Sequence, residues 1–203
     1  MGFKSFIKRL PHEIWSNNEI LLLKRSAGIP LDYSKRKEFK GEIIEATEAN
    51  IEDCGEFEDP KRYVPIYRKM IQNGDIVHFG YIGDHCVFRH AMKNSGTIDY
   101  DGAVIKKIVL GKEKYVHYAY TAPCARGRGL HVNSLYIFAE NNKDCDFFSL
   151  VKENNYVSLK GHFMLGYAPY LRIIVKHRFF SIKVEQTELN EDSKKRIVEA
   201  CYK

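Results

Sequence analysis

The chain predicts an α/β fold of the α+β kind: a mixed, mostly antiparallel central sheet that contains one parallel strand pair and is flanked by helices. Three observations carry this. Lys114 to Thr121 is β-branched and aromatic, runs into a glycine-punctuated turn, and is followed by a helical-period segment and a second apolar run, Asp146 to Val151. A strand, helix and strand in that order pair in parallel across a right-handed crossover. Asp75–Tyr81 and His85–Ala91 flank Ile82-Gly83-Asp84, which fits an antiparallel hairpin. Leu171 to Val184 reads as long β structure. At 203 residues and 44% hydrophobic, the chain can bury one full core, so a single compact domain is expected.

The remaining elements follow in chain order. Met1 to Pro11 places Phe3, Phe6, Ile7 and Leu10 at helical spacing, and Asn17 to Ser26 is a strand around its apolar middle. Pro30 to Lys40 is polar and loop-like. Residues 1–40 are therefore expected to form an N-terminal extension packed on a core of residues 41–203, which begins with Gly41 to Ile51, a strand and a helix start with Thr47 as N-cap. Asp59 to Gln72 is a helix from Pro60, in which Pro65 must lie in the first turn or open a new segment. Asp101 to Leu110 is a further strand or an inserted strand-turn unit, and Asn190 to Tyr202 is a terminal amphipathic helix.

The segment Thr121-Ala-Pro-Cys-Ala-Arg-Gly-Arg-Gly-Leu-His131 carries the chemistry. Gly127 and Gly129 allow backbone conformations that a Cβ would hinder, so successive N–H groups can converge on an anion at the positive end of the following helix. Arg126 and Arg128 add charge. The competing reading is a tight corner between strand and helix.

The run Pro123-Cys-Ala-Arg126-Gly-Arg-Gly129-Leu-His131 resembles the acetyl-CoA signature of the GNAT (Gcn5-related) N-acetyltransferases, Arg/Gln-x-x-Gly-x-Gly/Ala. A second run, Asn155-Tyr-Val-Ser158-Leu-Lys-Gly-His162-Phe-Met-Leu-Gly166-Tyr167, is similar to the superfamily's closing pattern Asn-x-x-Ala/Ser-x-x-x-Tyr-x-x-x-Gly-Phe. Two positions depart. His131 stands where a small residue usually sits, and His162 replaces the tyrosine.

The resemblance implies that the strands through Thr121 and Phe148 splay apart around the pantetheine arm of acetyl-CoA. Exposed backbone at Ala119, Tyr120 and Thr121 would bond it, and Arg126, Gly127, Arg128, Gly129, Leu130 and His131 would hold its phosphates. Asn155 would orient the pantetheine amide or nearby backbone, and the Ser158 hydroxyl would either bond CoA or cap a helical turn. Direct acyl transfer needs no covalent enzyme intermediate, so Cys124 reads as structural. A general base is needed because an amine of pKa near ~10 must lose its proton. His117 is the candidate, against the alternative of a hydrogen-bonded core histidine. His162, as an imidazolium, is the candidate proton donor to the departing thiolate, with Tyr167 or Tyr170 as substitutes. His131 either contacts the diphosphate or faces solvent.

Composition narrows the partners. No stretch approaches the ~20 apolar residues of a membrane span. The first ten residues lack the continuous apolar region of a secretion signal. A net charge of +6 is spread along the chain in short runs such as Lys35-Arg-Lys37 and Lys194-Lys-Arg196, which argues for solvated surface over a nucleic-acid stripe. Five scattered cysteines point to reduced thiols and a cytoplasmic protein, with neither a disulfide framework nor a zinc site. His78, His85 and His90 gather on the hairpin, but the strand parity of His85 and His90 differs, so no metal is expected. The leading function is an acetyl-CoA-dependent N-acetyltransferase acting on a small polar amine, with room for a homodimer. The alternatives are a CoA-binding module of weak or no activity and a protein lysine or N-terminal acetyltransferase.

Overall fold

A computed structural model describes residues 15–36, 38–179 and 181–203. The helix expected over residues 1–11 lies outside them. Ten strands and four α-helices are present among the described residues, in the order β1 (Trp15–Arg25), β2 (Glu42–Glu45), α1 (Pro60–Gln72), β3 (Ile76–Ile82), β4 (His85–Lys93), β5 (Thr97–Tyr100), β6 (Ala103–Lys107), β7 (Glu113–Thr121), α2 (Leu130–Asn141), β8 (Asp146–Lys152), α3 (Tyr156–Met164), β9 (Ala168–Arg178), β10 (Ser181–Glu188) and α4 (Glu191–Cys201).

Eight strands form one sheet in the order β10-β9-β1-β8-β7-β4-β3-β2. Every neighbouring pair in it is antiparallel except β7 and β8, which run parallel. This is the mixed, mostly antiparallel sheet that the strand pattern predicts. Strands β5 and β6 make a separate two-stranded sheet, the inserted strand-turn unit.

The structure corrects the expected extension. Trp15–Arg25 is not laid on a finished core but forms a strand inside the sheet, hydrogen bonded to β8 on one side and β9 on the other. Ile20, Leu21, Leu22 and Leu23 are each 0% exposed. A strand covered on both faces reads as a continuous apolar run and not as an alternating one, which is why this segment looks unlike a sheet edge.

Side-chain parity sorts the two faces. Leu21 and Leu23 join Leu135 and Phe138 of α2, Leu159 of α3 and Ile197 of α4 in one cluster. Ile20 and Leu22 point the other way, onto Ile98 of β5 and Ala103 and Ile105 of β6. On that second face α1 also packs, through Val64 and Tyr67, against Val77 and Phe79 of β3. Truncating such a leucine to alanine costs about 2–5 kcal/mol, so β1 holds both layers together.

Pro65 neither lies in the first turn of α1 nor opens a new segment; the helix runs through it. Asp59 caps the helix by accepting from the Lys61 amide at 3.1 Å, and Pro60 occupies the first helical position, where its missing N–H has no cost. Burial of Val64 and Tyr67 on either side of Pro65 offsets the one backbone bond that it forgoes.

Candidate functional site

Strands β7 and β8 pair only from Glu113↔Asp146 to Val116↔Ser149. Beyond that point β7 stays bonded to β4 as far as Thr121, and β8 stays bonded to β1 as far as Lys152. The sheet therefore splits at the C-terminal ends of its two parallel strands. At the split β7 carries a bulge: Ala91 faces His117 and Arg89 faces Tyr120, so Tyr118 and Ala119 stand opposite His90 alone. Tyr118 has φ 59°, a left-handed conformation that is uncommon for a bulky residue and costs of order 1–3 kcal/mol.

The glycine turn lies at the end of the same strand. A single 3-10 turn, Pro123–Ala125, leads to Gly127 at φ 78° and Gly129 at φ 82°. Gly129 is the N-cap of α2 and has no side chain to satisfy the first amides of the helix. Those amides point outward at the positive end of the helix. Arg126 and Arg128 are exposed beside them, and Arg126 Nε donates to the Thr121 carbonyl at 3.3 Å. The Leu130 side chain turns inward and is buried, so it anchors the helix and leaves only its backbone amide for a ligand.

Between α2 and α3 lies a column of imidazoles. His78 and His90 place their Nδ1 atoms 2.9 and 3.0 Å from the same Ser134 hydroxyl, which can bond both rings at once because it offers one donor and two acceptor lone pairs. His90 stands 5.1 Å from His131, His131 stands 5.1 Å from His162, and the His162 ring meets Tyr167 edge-on at 5.0 Å. Gly161 lets the two helices close here, for a Cβ on it would lie 3.2 Å from Val132 Cγ2 and 3.5 Å from His131 Nδ1. Burial pushes His78 down to about 4, His131 to about 3 and His162 to about 4. His131 is half-buried, with its ring turned towards α3 and His162.

His162 is neutral and its tautomer is set. Its Nδ1 lies 2.8 Å from the Ser158 carbonyl, which only a protonated nitrogen can bond, so Nε2 carries a bare lone pair. That Nε2 is buried without a hydrogen-bond partner. A ring held this way accepts a hydrogen bond, and the expected imidazolium donor is not what the geometry favours. Tyr167 is buried too, and burial raises its hydroxyl far above the usual phenol range, with Arg25 acting weakly in the opposite direction.

On the opposite face, His117 stacks on Tyr115 at 4.9 Å, and its Nε2 is likewise buried without a partner. Burial first, then the charges of Lys93 and Arg89, push it down to about 4. It is unprotonated at neutral pH but a weak base. Asn155 caps α3: its Oδ1 accepts from the Ser158 amide at 3.2 Å. Elsewhere His85 leaves the other hairpin histidines and pairs with Glu56 on the surface at 2.8 Å.

A further set of residues at the bulge escaped the sequence. Arg89 and Glu58 form an ion pair at 2.8 Å with side chains only 9% and 6% exposed, and Tyr67 donates its hydroxyl to the same carboxylate. A single arginine between two histidines in a strand gave no warning of this, because the partner comes from the segment just before α1.

With the split strands, the bulge and the cradle in view, the class is defined: the chain has the fold of the GNAT acetyltransferases. YncA of Salmonella typhimurium, described as an acetyltransferase and solved with its cofactor acetyl-CoA, superposes with TM-score 0.51 at 16% identity, over 75% of this chain and 95% of that one. A protein from Novosphingobium aromaticivorans assigned to the GNAT acetyltransferases superposes with TM-score 0.55 at 10% identity, over 86% of this chain and 66% of that one. A conserved protein of unknown function from Staphylococcus epidermidis does so with TM-score 0.55 at 11% identity, over 88% of this chain and 69% of that one. No protein-family model and no curated protein matches the chain.

Proposed function

We propose that the protein is a cytoplasmic N-acyltransferase that moves an acetyl group from acetyl-CoA to the primary amine of a small polar acceptor. The observation that carries this is the parting of β7 from β8 directly before an arginine-flanked, glycine-capped helix N-terminus. One opening then offers unpaired strand backbone beside an anion cradle, which suits a ligand made of amides ending in phosphates.

Acetyl-CoA supplies an activated acyl thioester. The amides of Gly127 through Val132, with Arg126 and Arg128, hold its phosphates. Backbone of Ala119, Tyr120 and Thr121, past the last β8 pair, bonds its amides. The acceptor approaches from the face of α1 and the β5–β6 unit, where the His117 lone pair receives a hydrogen bond from the amine and orients it. Carbon–nitrogen bond formation displaces the thiolate, and the proton lost by the amine ends on the CoA sulfur, so the exchange balances with no group attached to the enzyme. His162 Nε2 accepts from the nascent thiol on the other face, and Tyr167 fixes the ring edge-on.

A second reading, a CoA-binding module with little catalysis, is favoured by one observation: imidazoles fill the seam between α2 and α3 at His131 and His162. Thermal shift with acetyl-CoA and CoA, followed by mass detection of acetylated products from an amine library, separates the two. Stabilisation that Arg126→Ala and Arg128→Ala weaken, with a new amide product, supports the enzyme. Stabilisation without product supports the module, and no CoA-dependent shift removes both.

A further inference from the structure

The bulge that opens the sheet is not held by backbone pairing. The carbonyl of Tyr118, which in a regular strand would face a neighbouring strand, instead accepts from Arg89 Nη1 on β4. The Arg89 guanidinium also lies 3.9 Å from the centroid of the Tyr118 ring. Its remaining donors are directed by Glu58, which accepts from Nε at 2.9 and 3.0 Å. Glu58 is in turn fixed by the fully buried Tyr67, whose ring stands edge-on to Tyr118 at 6.1 Å and to Phe79 at 5.3 Å. One planar fork therefore ties the segment just before α1 to the strained residue of β7, a geometry that an ammonium on a flexible stem does not reproduce.

We propose that Arg89 is a positioning residue for acyl transfer: by clamping the Tyr118 carbonyl between Glu58 and the bulge, it fixes how the β8-facing edge of Ala119–Thr121, past the last β7–β8 pair, is presented to CoA. This rests on the acyl-transfer reading given above. The clamp stabilises a left-handed conformation that tyrosine resists and glycine adopts freely. Removing the clamp should matter when residue 118 is tyrosine and matter little when it is glycine.

The test is a double-mutant cycle on the full chain, read by CoA affinity in calorimetry and by amide hydrogen exchange at 119–121 without ligand. Arg89→Met should weaken CoA binding about ten-fold, the size expected for one charge-assisted hydrogen bond, and speed exchange at those amides. Arg89→Lys, which keeps the Glu58 pair but not the fork, should fall between Arg89→Met and the wild type in both readouts. In the Tyr118→Gly background, Arg89→Met should cost less than about two-fold, because the conformation no longer needs holding. Equal losses in both backgrounds would show that Arg89 acts only through its pair with Glu58, and would overturn the proposal. Wild-type protein that takes up no CoA would sink the acyl-transfer reading before any substitution is made.

Discussion

Acidification should unfold this protein at a pH where most folded domains are comfortable. His78, His117 and His162 are held at about 4 and His131 at about 3 by burial, against about 6.5 for an exposed imidazole. The folded state keeps these rings neutral while the unfolded state protonates them, so unfolding takes up protons. The stability they contribute is complete above pH ~6.5 and is lost as the pH falls from there towards ~4, below which both states are charged. At pH 5.5 each ring has given up about 1.4 kcal/mol, and the four together roughly 5–6 kcal/mol, a large share of the 5–15 kcal/mol of a typical domain. His90, wholly buried and pushed down in the same direction, adds to the slope. The lowered carboxylates, such as Glu56 and Asp146, titrate below this window and do not obscure it. Urea titrations at pH 7.5, 6.5 and 5.5 should show this fall, and proton uptake on unfolding at pH 5.5 should reach about four to five per molecule, His90 included. A stability that changes by less than about 2 kcal/mol between pH 7.5 and 5.5 would refute the buried-imidazole argument.

Other outcomes follow from the same geometry. Gly129→Ala, at φ 82°, should destabilise by about 1 kcal/mol and weaken CoA binding more than Ala125→Gly does; equal CoA affinity would mean that the cradle holds nothing. Because His117 is already deprotonated, kcat/KM should climb with pH along the acceptor amine's own titration; a limb near pH 6.5 that vanishes in His117→Ala would restore it as a general base. Tyr67→Phe should cost about 1–3 kcal/mol in chemical denaturation by leaving the Glu58 carboxylate short of a buried donor, and an unchanged midpoint would show that water replaces the hydroxyl. Arg128→Ala should flatten the salt dependence of CoA binding measured between low and moderate ionic strength, and an unaltered slope would place that charge away from the phosphates.

The strand, turn and helix from Lys114 to Asn141 were legible because each local signal agrees with the next: β-branched residues, then glycines at the two left-handed positions, then a 3.6-residue apolar period. The hairpin of β3 and β4 was legible for the same reason. The place of β1 was not, since a run of isoleucine and leucine says that a strand is buried but not which strands bury it. Nor was the left-handed tyrosine, because nothing in Tyr115-Val-His-Tyr-Ala-Tyr120 distinguishes Tyr118 from its neighbours; the conformation is imposed from β4 and α1. His117 and His162 stood out in the sequence as a candidate base and a candidate proton donor, but the carbonyl or charge that lies opposite each ring is a property of packing alone.

Strand β1 has a consequence for the order in which the molecule can assemble. Its hydrogen-bonding partners are synthesised long after it: Leu22 faces Leu150 on one side and Leu171 on the other. Until those arrive, the most apolar run of the chain has no sheet to enter. The half of the sheet that includes β8, β1 and β9 is thus a non-local closure, of the kind that slows folding and leaves a sticky strand waiting in the growing chain.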